Sequence, residues 1–472
     1  MVRYNVQMEI KVYSPHDRSH VDTLPLHSRQ EVLSCLETAH KLYLDRDNWL
    51  SKSQRIAIME RLVELMQDQK TKDELISIAI KEGGKPYRDT VVEIDRAIQG
   101  VKLGIQAVQN LHGEEVPMGL TAASGNRLAC SFMEPIGVVV SLSAFNHPLN
   151  LIVHQTIPAL AAGCPVVVKP AEATPRSCFR FVELLHKAGL PKEWCQAVLC
   201  SNEDAEALAT DQRVAYLSFI GSAKVGWYLR SKLAPGARCA LEHGGVAPVI
   251  IDRSADIDEL IEPLAKGAFY HAGQVCVSTK RIYVPNNMAG EFAEKLAHRA
   301  QRLVVGDPFN PDTEVGPLIR PAEVMRVKEW VDEAIKGGAK LLCGGKADGE
   351  CYFEPTVLLN PPADAKVSTL EIFGPVVCIY GYDAMDEAIA DANRLPVSFQ
   401  AAVFSKDIDM AMKAVRRLHA TTVMVNDHTA FRVDWMPFGG ALQSGIGIGG
   451  IGHSAREMSQ EKLMVLKSPE LA

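Results

Sequence analysis

Cys276 sits in the stretch FYHAGQVCVSTK (269–280), between a Gly-Gln step and a run of small and β-branched residues. A thiol attacks carbon only as the thiolate, and a free cysteine ionises near about pH 8.5, so a reactive one needs surroundings that hold or generate thiolate near neutrality. Gly273 and Gln274 let the backbone turn tightly just ahead of it. Two other segments carry groups suited to a nucleotide. In VVVKPAEAT (166–174), Lys169 and Glu172 follow a β-branched run, and a carboxylate there can accept from both hydroxyls of a ribose. In FIGSAKVG (219–226), Gly221 and Ser222 end a strand pattern and begin a helical one, which offers free amides and a hydroxyl to an anion. Read alone, either segment is equally ordinary strand-end polarity. The run Gly445-Ile-Gly447-Ile-Gly449-Gly450 matches G-x-G-x-x-G, but too little chain follows it for the strand–helix unit that gives this motif its function, so it reads as a glycine-rich surface turn.

The composition narrows the classes of partner. Acidic and basic residues are mixed along the chain and the formal net charge is -7, which gives no basic footprint for nucleic acid or an anionic membrane. No apolar run approaches the roughly 18–20 residues of a membrane span, and the N-terminal stretch lacks an apolar run of signal length. Eleven cysteines, an odd number with no Cys-x-x-Cys pair and no His cluster at zinc spacing, disfavour disulfides and structural zinc. The expectation is a protein of the cytoplasm with no metal centre.

The elements that must position these residues follow from patterning. Residues 28–112 read as a helical block, with three capping-box starts at Ser28-x-x-Glu31, Ser51-x-x-Gln54 and Thr71-x-x-Glu74. From Ile136, β-branched runs alternate with helical segments at 136–142, 165–169, 196–200, 215–220 and 238–242. A second alternation runs through 247–252, 280–285, 376–382, 401–405 and 421–426. Each alternation predicts a mainly parallel sheet covered by helices, so the fold class is α/β. Between the helical block and the first sheet, residues 113–135 read as two strands around a Ser-Gly-Asn turn, a protruding hairpin able to pair with another subunit.

Seven segments in order resemble the aldehyde dehydrogenase superfamily: EPIGVVVSLSAFNHPLN (134–150), KPAEATP (169–175), FIGS (219–222), LEHGG (241–245), GQVC (273–276), EIFGPV (371–376), and PFGG with the following SG (437–445). The resemblance implies a Rossmann-like cofactor domain (1–112 and 136–241), an α/β catalytic domain (242–455), and oligomerisation segments (113–135 and 456–472) that make a homodimer or homotetramer. It implies NAD, with NADP possible, bound without the usual glycine fingerprint. Lys169 and Glu172 would hold the adenine ribose, Gly221 and Ser222 the pyrophosphate, and Glu371 with Phe373 the nicotinamide ribose. Cys276 takes the place of the family's nucleophile and Asn146 that of its oxyanion donor, although outside that context Asn146 is a turn residue shortly before Pro148. Glu242 takes the place of the base that hydrolyses the thioester, a residue that coenzyme-A-acylating relatives generally lack; its plainer reading is a structural ion pair.

The chain departs from the family near the reacting centre. It has AFNHP where the family commonly has PWNFP, and His243 follows Glu242 where Leu is common. His243 reads as packing. His147 adjoins the oxyanion donor and can hydrogen-bond a polar or anionic substrate group. In the loop 427–437, Arg432 can fork onto a carboxylate, sulfonate or phosphonate, or equally pair with Asp434 or a neighbouring subunit. The expected activity is NAD(P)-dependent oxidation of a small polar or anionic aldehyde to its acid. An aromatic-poor funnel weighs against larger apolar or aromatic aldehydes, and the joint presence of Cys276, Glu242 and Asn146 weighs against a non-catalytic binding role. Cofactor-free thiol esterase chemistry would use the same cysteine.

Overall fold

The computed structural model describes residues 8–471. Ser28 and Ser51 form complete capping boxes with Glu31 and Gln54, starting the helices Arg29–Leu44 and Lys52–Gln67. The third start lies elsewhere: the helix Gln69–Gly83 is capped by Asp68, whose carboxylate accepts from the Thr71 amide, so Thr71 sits inside the helix. A carboxylate at the true N-cap outcompetes a hydroxyl three residues on. The long helix Tyr87–Asn110 closes the block.

The six-stranded sheet runs, edge to edge, Gly445–Ile446, Arg238–Glu242, Val214–Ile220, Val138–Leu142, Val166–Lys169 and Cys195–Ala197. All its pairs are parallel except the first. Val138–Leu142 and Val166–Lys169 are buried at every residue, which is why they read as unbroken β-branched runs. Chain order reverses direction between Val138–Leu142 and Val214–Ile220, and the carboxyl ends of strands beside such a switch point open into a crevice. In the glycine run that imitates a fingerprint, Gly445 and Ile446 form a short edge strand and the following residues bend at the surface, with Ile446 and Ile448 exposed. Gly445 pairs with Glu242 along the sheet edge, where a Cβ would strike the Leu241 carbonyl.

The seven-stranded sheet is ordered Lys340–Cys343, Thr356–Leu359, Val376–Tyr382, Arg281–Pro285, Pro248–Ile251, Gln400–Phe404 and Thr422–Val425, antiparallel only at Lys340–Cys343. Patterning missed the two strands at one end of this sheet, 340–343 and 356–359, and also the hairpin Glu9–Tyr13/His20–Pro25. Arg127–Pro135 pairs with Glu115–Val116 on one side and, along nine residues, with Ser459–Lys467 on the other. No helix among the described residues is long and apolar enough to cross a membrane.

Candidate active site

One cavity of about 1120 Å³ is lined by all eleven residues singled out from the sequence: Asn146, His147, Lys169, Glu172, Gly221, Ser222, Glu242, Cys276, Glu371, Phe373 and Arg432. The six-stranded sheet supplies the first seven from the carboxyl ends of its strands or the turns just beyond. The second sheet supplies the rest from loops ahead of Arg281–Pro285 and Val376–Tyr382 and after Thr422–Val425.

Cys276 is half-buried and is the one cysteine on this cavity; all eleven are free thiols. The backbone ahead of it is tightly wound, with left-handed φ at His271 (48°), Ala272 (53°) and Gly273 (69°), and at Gly273 a Cβ would meet the Gly374 carbonyl. Its Sγ lies 3.9 Å from Glu242 Oε1. Burial pushes the thiol well above its ordinary range, Glu242 and Glu371 add to the rise, and Arg432 opposes it. Burial raises the Glu242 carboxyl to about 7, against the pull of Arg432 and of the hydrogen bond from Cys276. The pair at rest is therefore a neutral thiol beside a carboxyl that gains and loses its proton near neutrality. Asn146 lines the same cavity, buried, with Nδ2 donating to the Gln274 carbonyl at 3.0 Å.

The other arm of the cavity holds the dinucleotide candidates. Lys169 Nζ makes only long contacts, 3.4 Å to the Pro170 carbonyl and 3.9 Å to Glu172, and the Glu172 side chain is 44% exposed. Ser222 caps the helix Ala223–Arg230 by position, without a side-chain hydrogen bond, so its hydroxyl is uncommitted. Glu371 Oε1 is buried without a partner, and burial raises this carboxyl to about 8 against the pull of Lys280 and Arg326. Gly244 leaves room for that carboxylate, which a Cβ at 244 would strike. Phe373 holds a left-handed φ of 48° and packs edge-on to Phe145. A free cation, an uncommitted hydroxyl and an unsatisfied acceptor spread along one crevice fit a long ligand with phosphates and ribose hydroxyls, as NAD(P) has. Among the described residues no cluster of His, Cys, Asp and Glu could hold a metal.

Sequence reasoning missed the charged network behind the cysteine. Asp434 accepts from Arg96 at 2.7 and 3.0 Å and from His154 at 2.7 Å. Burial alone would raise this carboxyl, yet those bonds hold it well below the usual carboxylate range. The Arg432–Asp434 pairing is consequently weak, at 3.9 Å, and the guanidinium instead lies over the Phe438 ring, 3.4 Å from its centre. Arg432 Nη1 is buried with no partner, and burial lowers this arginine to about 10. His147 is also buried. Its Nε2 lies 3.5 Å from the Tyr270 hydroxyl, and burial, with Lys85 and Arg96 nearby, keeps it neutral. His243 packs edge-on to Phe219 and Trp227 with Nδ1 donating to the Gly221 carbonyl at 2.9 Å. The funnel is not aromatic-poor: Tyr270, ahead of Cys276, and Phe431 and Phe438, in the loop after Thr422–Val425, line it.

Comparison with known proteins adds three findings. Residues 3–464 match the profile described as the aldehyde dehydrogenase family. A 3-sulfolactaldehyde dehydrogenase of Priestia aryabhattai is 39% identical over 420 residues, covering 89% of this chain and 87% of the relative. Two crystal structures superpose over almost the whole chain. That of an aldehyde dehydrogenase from Physcomitrella patens in complex with the reaction product succinate has a TM-score of 0.94 at 31% identity, covering 99% of this chain and 97% of that one. That of a glyceraldehyde-3-phosphate dehydrogenase from Methanocaldococcus jannaschii complexed with NADP has a TM-score of 0.92 at 32% identity, covering 98% and 100%.

Proposed function

The chain belongs to the aldehyde dehydrogenase family, and on that premise we propose that it oxidises a small polar or anionic aldehyde to its carboxylic acid. It is an NAD(P)-dependent oxidoreductase of the α/β class. Cys276 is the nucleophile, Glu242 the general base and Asn146 the oxyanion donor. The observation that carries this reading is the 3.9 Å approach of Cys276 Sγ to a Glu242 carboxyl raised to about 7, inside the cavity that Asn146 also lines.

The aldehyde carbon is attacked by the Cys276 thiolate, whose proton has passed to water; a carbon–sulfur bond forms and the carbonyl oxygen takes negative charge. The Asn146 amide and the Cys276 backbone N–H stabilise that oxygen. The bound dinucleotide supplies a hydride acceptor. Lys169, Glu172, Gly221, Ser222, Glu371 and Phe373 would hold it, and Glu172 repels a 2′-phosphate, favouring NAD over NADP. Loss of hydride from the tetrahedral carbon leaves a thioester on Cys276. Ionised Glu242 then takes a proton from water, whose oxygen attacks the thioester carbon, and the carbon–sulfur bond breaks to release the acid.

The anionic preference rests on Arg432, whose buried Nη1 lacks a partner, with His147 as a neutral hydrogen-bonding group beside it. The 3-sulfolactaldehyde dehydrogenase and the succinate-bound relative act on or release small anionic compounds, which supports it. A second reading, larger apolar or aromatic aldehydes, is favoured by Tyr270, Phe431 and Phe438 on the funnel wall. NADH formation separates the two, using propanal, lactaldehyde, benzaldehyde, succinate semialdehyde and sulfonated or phosphonylated aldehydes, each with NAD and NADP. The anionic members should have the highest kcat/KM with NAD. Benzaldehyde in first place would establish the second reading, and no reduction with any aldehyde would overturn the enzymatic one. Self-association is proposed through Ser459–Lys467, an open sheet edge with Leu463, Met464, Val465 and Leu466 exposed.

A further inference from the structure

The helix Asn150–Ala162 starts four residues after Asn146, and its N-cap, Leu149, has no side chain able to accept from the free amides. A carboxylate from another helix does so instead. Glu93 Oε1 accepts from the backbone N–H of Leu149 at 3.0 Å and of Asn150 at 3.1 Å, reaching across 56 and 57 residues of sequence from Tyr87–Asn110. Its other oxygen, Oε2, is paired with Lys85, and both side chains are fully buried, at 0% and 1% exposure. A Ser or Asp at 149 would accept from the amides of Leu151 or Ile152 and leave those of Leu149 and Asn150 to be met from elsewhere, and a buried ion pair loses much of its attraction to desolvation. What the remote carboxylate adds is position: it ties the turn carrying Asn146 and His147 to the helical block. On the opposite side Asn146 donates to the Gln274 carbonyl at 3.0 Å, and Gln274 is itself pinned through Ile319 N–H at 2.9 Å and the Pro317 carbonyl at 3.1 Å.

We propose that Glu93, held by Lys85, is a positioning residue that fixes the Asn146 amide against the oxyanion forming on the Cys276 adduct. This rests on the reading of Asn146 as oxyanion donor. Loosening the turn should lower kcat, because the interaction it serves exists only in the transition state, and leave binding of substrate and cofactor little changed.

The test is a double-mutant cycle in kcat and KM, followed by NADH formation, on E93A, N146A and E93A/N146A. Thermal midpoints and NAD binding by fluorescence establish that each variant is folded. N146A should lose about 100- to 1000-fold in kcat. E93A should lose roughly 10- to 100-fold, with both KM values within about threefold of wild type. E93A/N146A should be no more than about threefold worse than N146A, since a residue acting through Asn146 has nothing left to position. The neutral pair K85M/E93Q keeps an acceptor oxygen for both amides without a buried charge and should recover kcat to within about fivefold. If E93A yields no folded protein, E93Q carries the same cycle with a smaller loss. Additive losses in the double variant, or an effect confined to KM, would overturn the Glu93 proposal and leave Asn146 standing. An N146A loss below about threefold would instead remove the oxyanion reading.

Discussion

Glu242→Gln separates the two halves of the proposed reaction. Glutamine keeps the shape and polarity of the side chain but cannot take a proton from water, so thioester hydrolysis should slow by about 10²- to 10⁴-fold, the usual contribution of a general base. Hydride release precedes that step, so mixing with aldehyde and NAD in a stopped-flow instrument should still give a burst approaching one NADH per subunit before turnover stalls. The pH profile follows from the buried carboxyl. With the Glu242 group raised to about 7, roughly a tenth of it is ionised one pH unit below that value and nine-tenths one unit above. Wild-type kcat should therefore climb about tenfold between about pH 6 and 8 and level off beyond, and this limb should be absent in E242Q. Stability should move the opposite way. A carboxyl raised from 4.5 to about 7, at about 1.4 kcal/mol per unit, is on the order of 3 kcal/mol of stability present below pH 4.5 and lost as pH rises through 7. E242Q carries no such loss, so by calorimetry it should melt above wild type at pH 8 and with it near pH 4.5. Absence of the burst, a steady rate within about threefold of wild type, or an unchanged pH limb would each refute the role given to Glu242.

Arg432→Ala should raise KM about 10- to 100-fold for anionic aldehydes, the worth of a hydrogen bond to a charged group, and spare propanal; equal effects on both would take Arg432 out of substrate recognition. Gly244→Ala drives a Cβ into the Glu371 carboxylate, and overpacking of about 1–3 kcal/mol should weaken NAD binding roughly tenfold to a hundredfold by fluorescence titration. Unchanged NAD affinity would mean that Glu371 does not touch the cofactor. Because burial holds Cys276 well above its ordinary range, inactivation by iodoacetamide without cofactor should rise about tenfold per pH unit with no plateau below pH 9. A plateau near neutrality would mean a resting thiolate.

Patterning carried much of the fold, and the ordered segments that resemble the family carried nearly all of the cavity. Fully buried strands such as Val138–Leu142 announce themselves as β-branched runs because both faces lie against protein, and Ser28 and Ser51 announce helix starts because a capping box is complete within four residues. Outer strands such as Lys340–Cys343, with two exposed residues of four, have no such signature. Cys276, Glu242 and Asn146 were picked out by the ordered segments that resemble the family, whereas Asn146 by its local pattern alone is a turn residue before Pro148. Arg96, His154 and Asp434 were not, since their meeting joins residues 280 and 338 positions apart. The same holds for Glu93, which looks like one more acidic residue on a helix until its carboxylate is seen on the amides of Leu149 and Asn150. Arg432 was legible as a cation but not as an unsatisfied one, because only the structure commits Asp434 to Arg96 and His154.

The central claim, that oxidation passes through a thioester on Cys276 which Glu242 then hydrolyses, is tested most directly by trapping it. E242Q mixed with NAD and the best aldehyde, quenched in acid during the stalled phase and digested, should carry the mass of the aldehyde less two hydrogens on the peptide containing Cys276. NADH formed in an amount equal to enzyme with that peptide unmodified, or with the acyl group on another cysteine, would contradict the account.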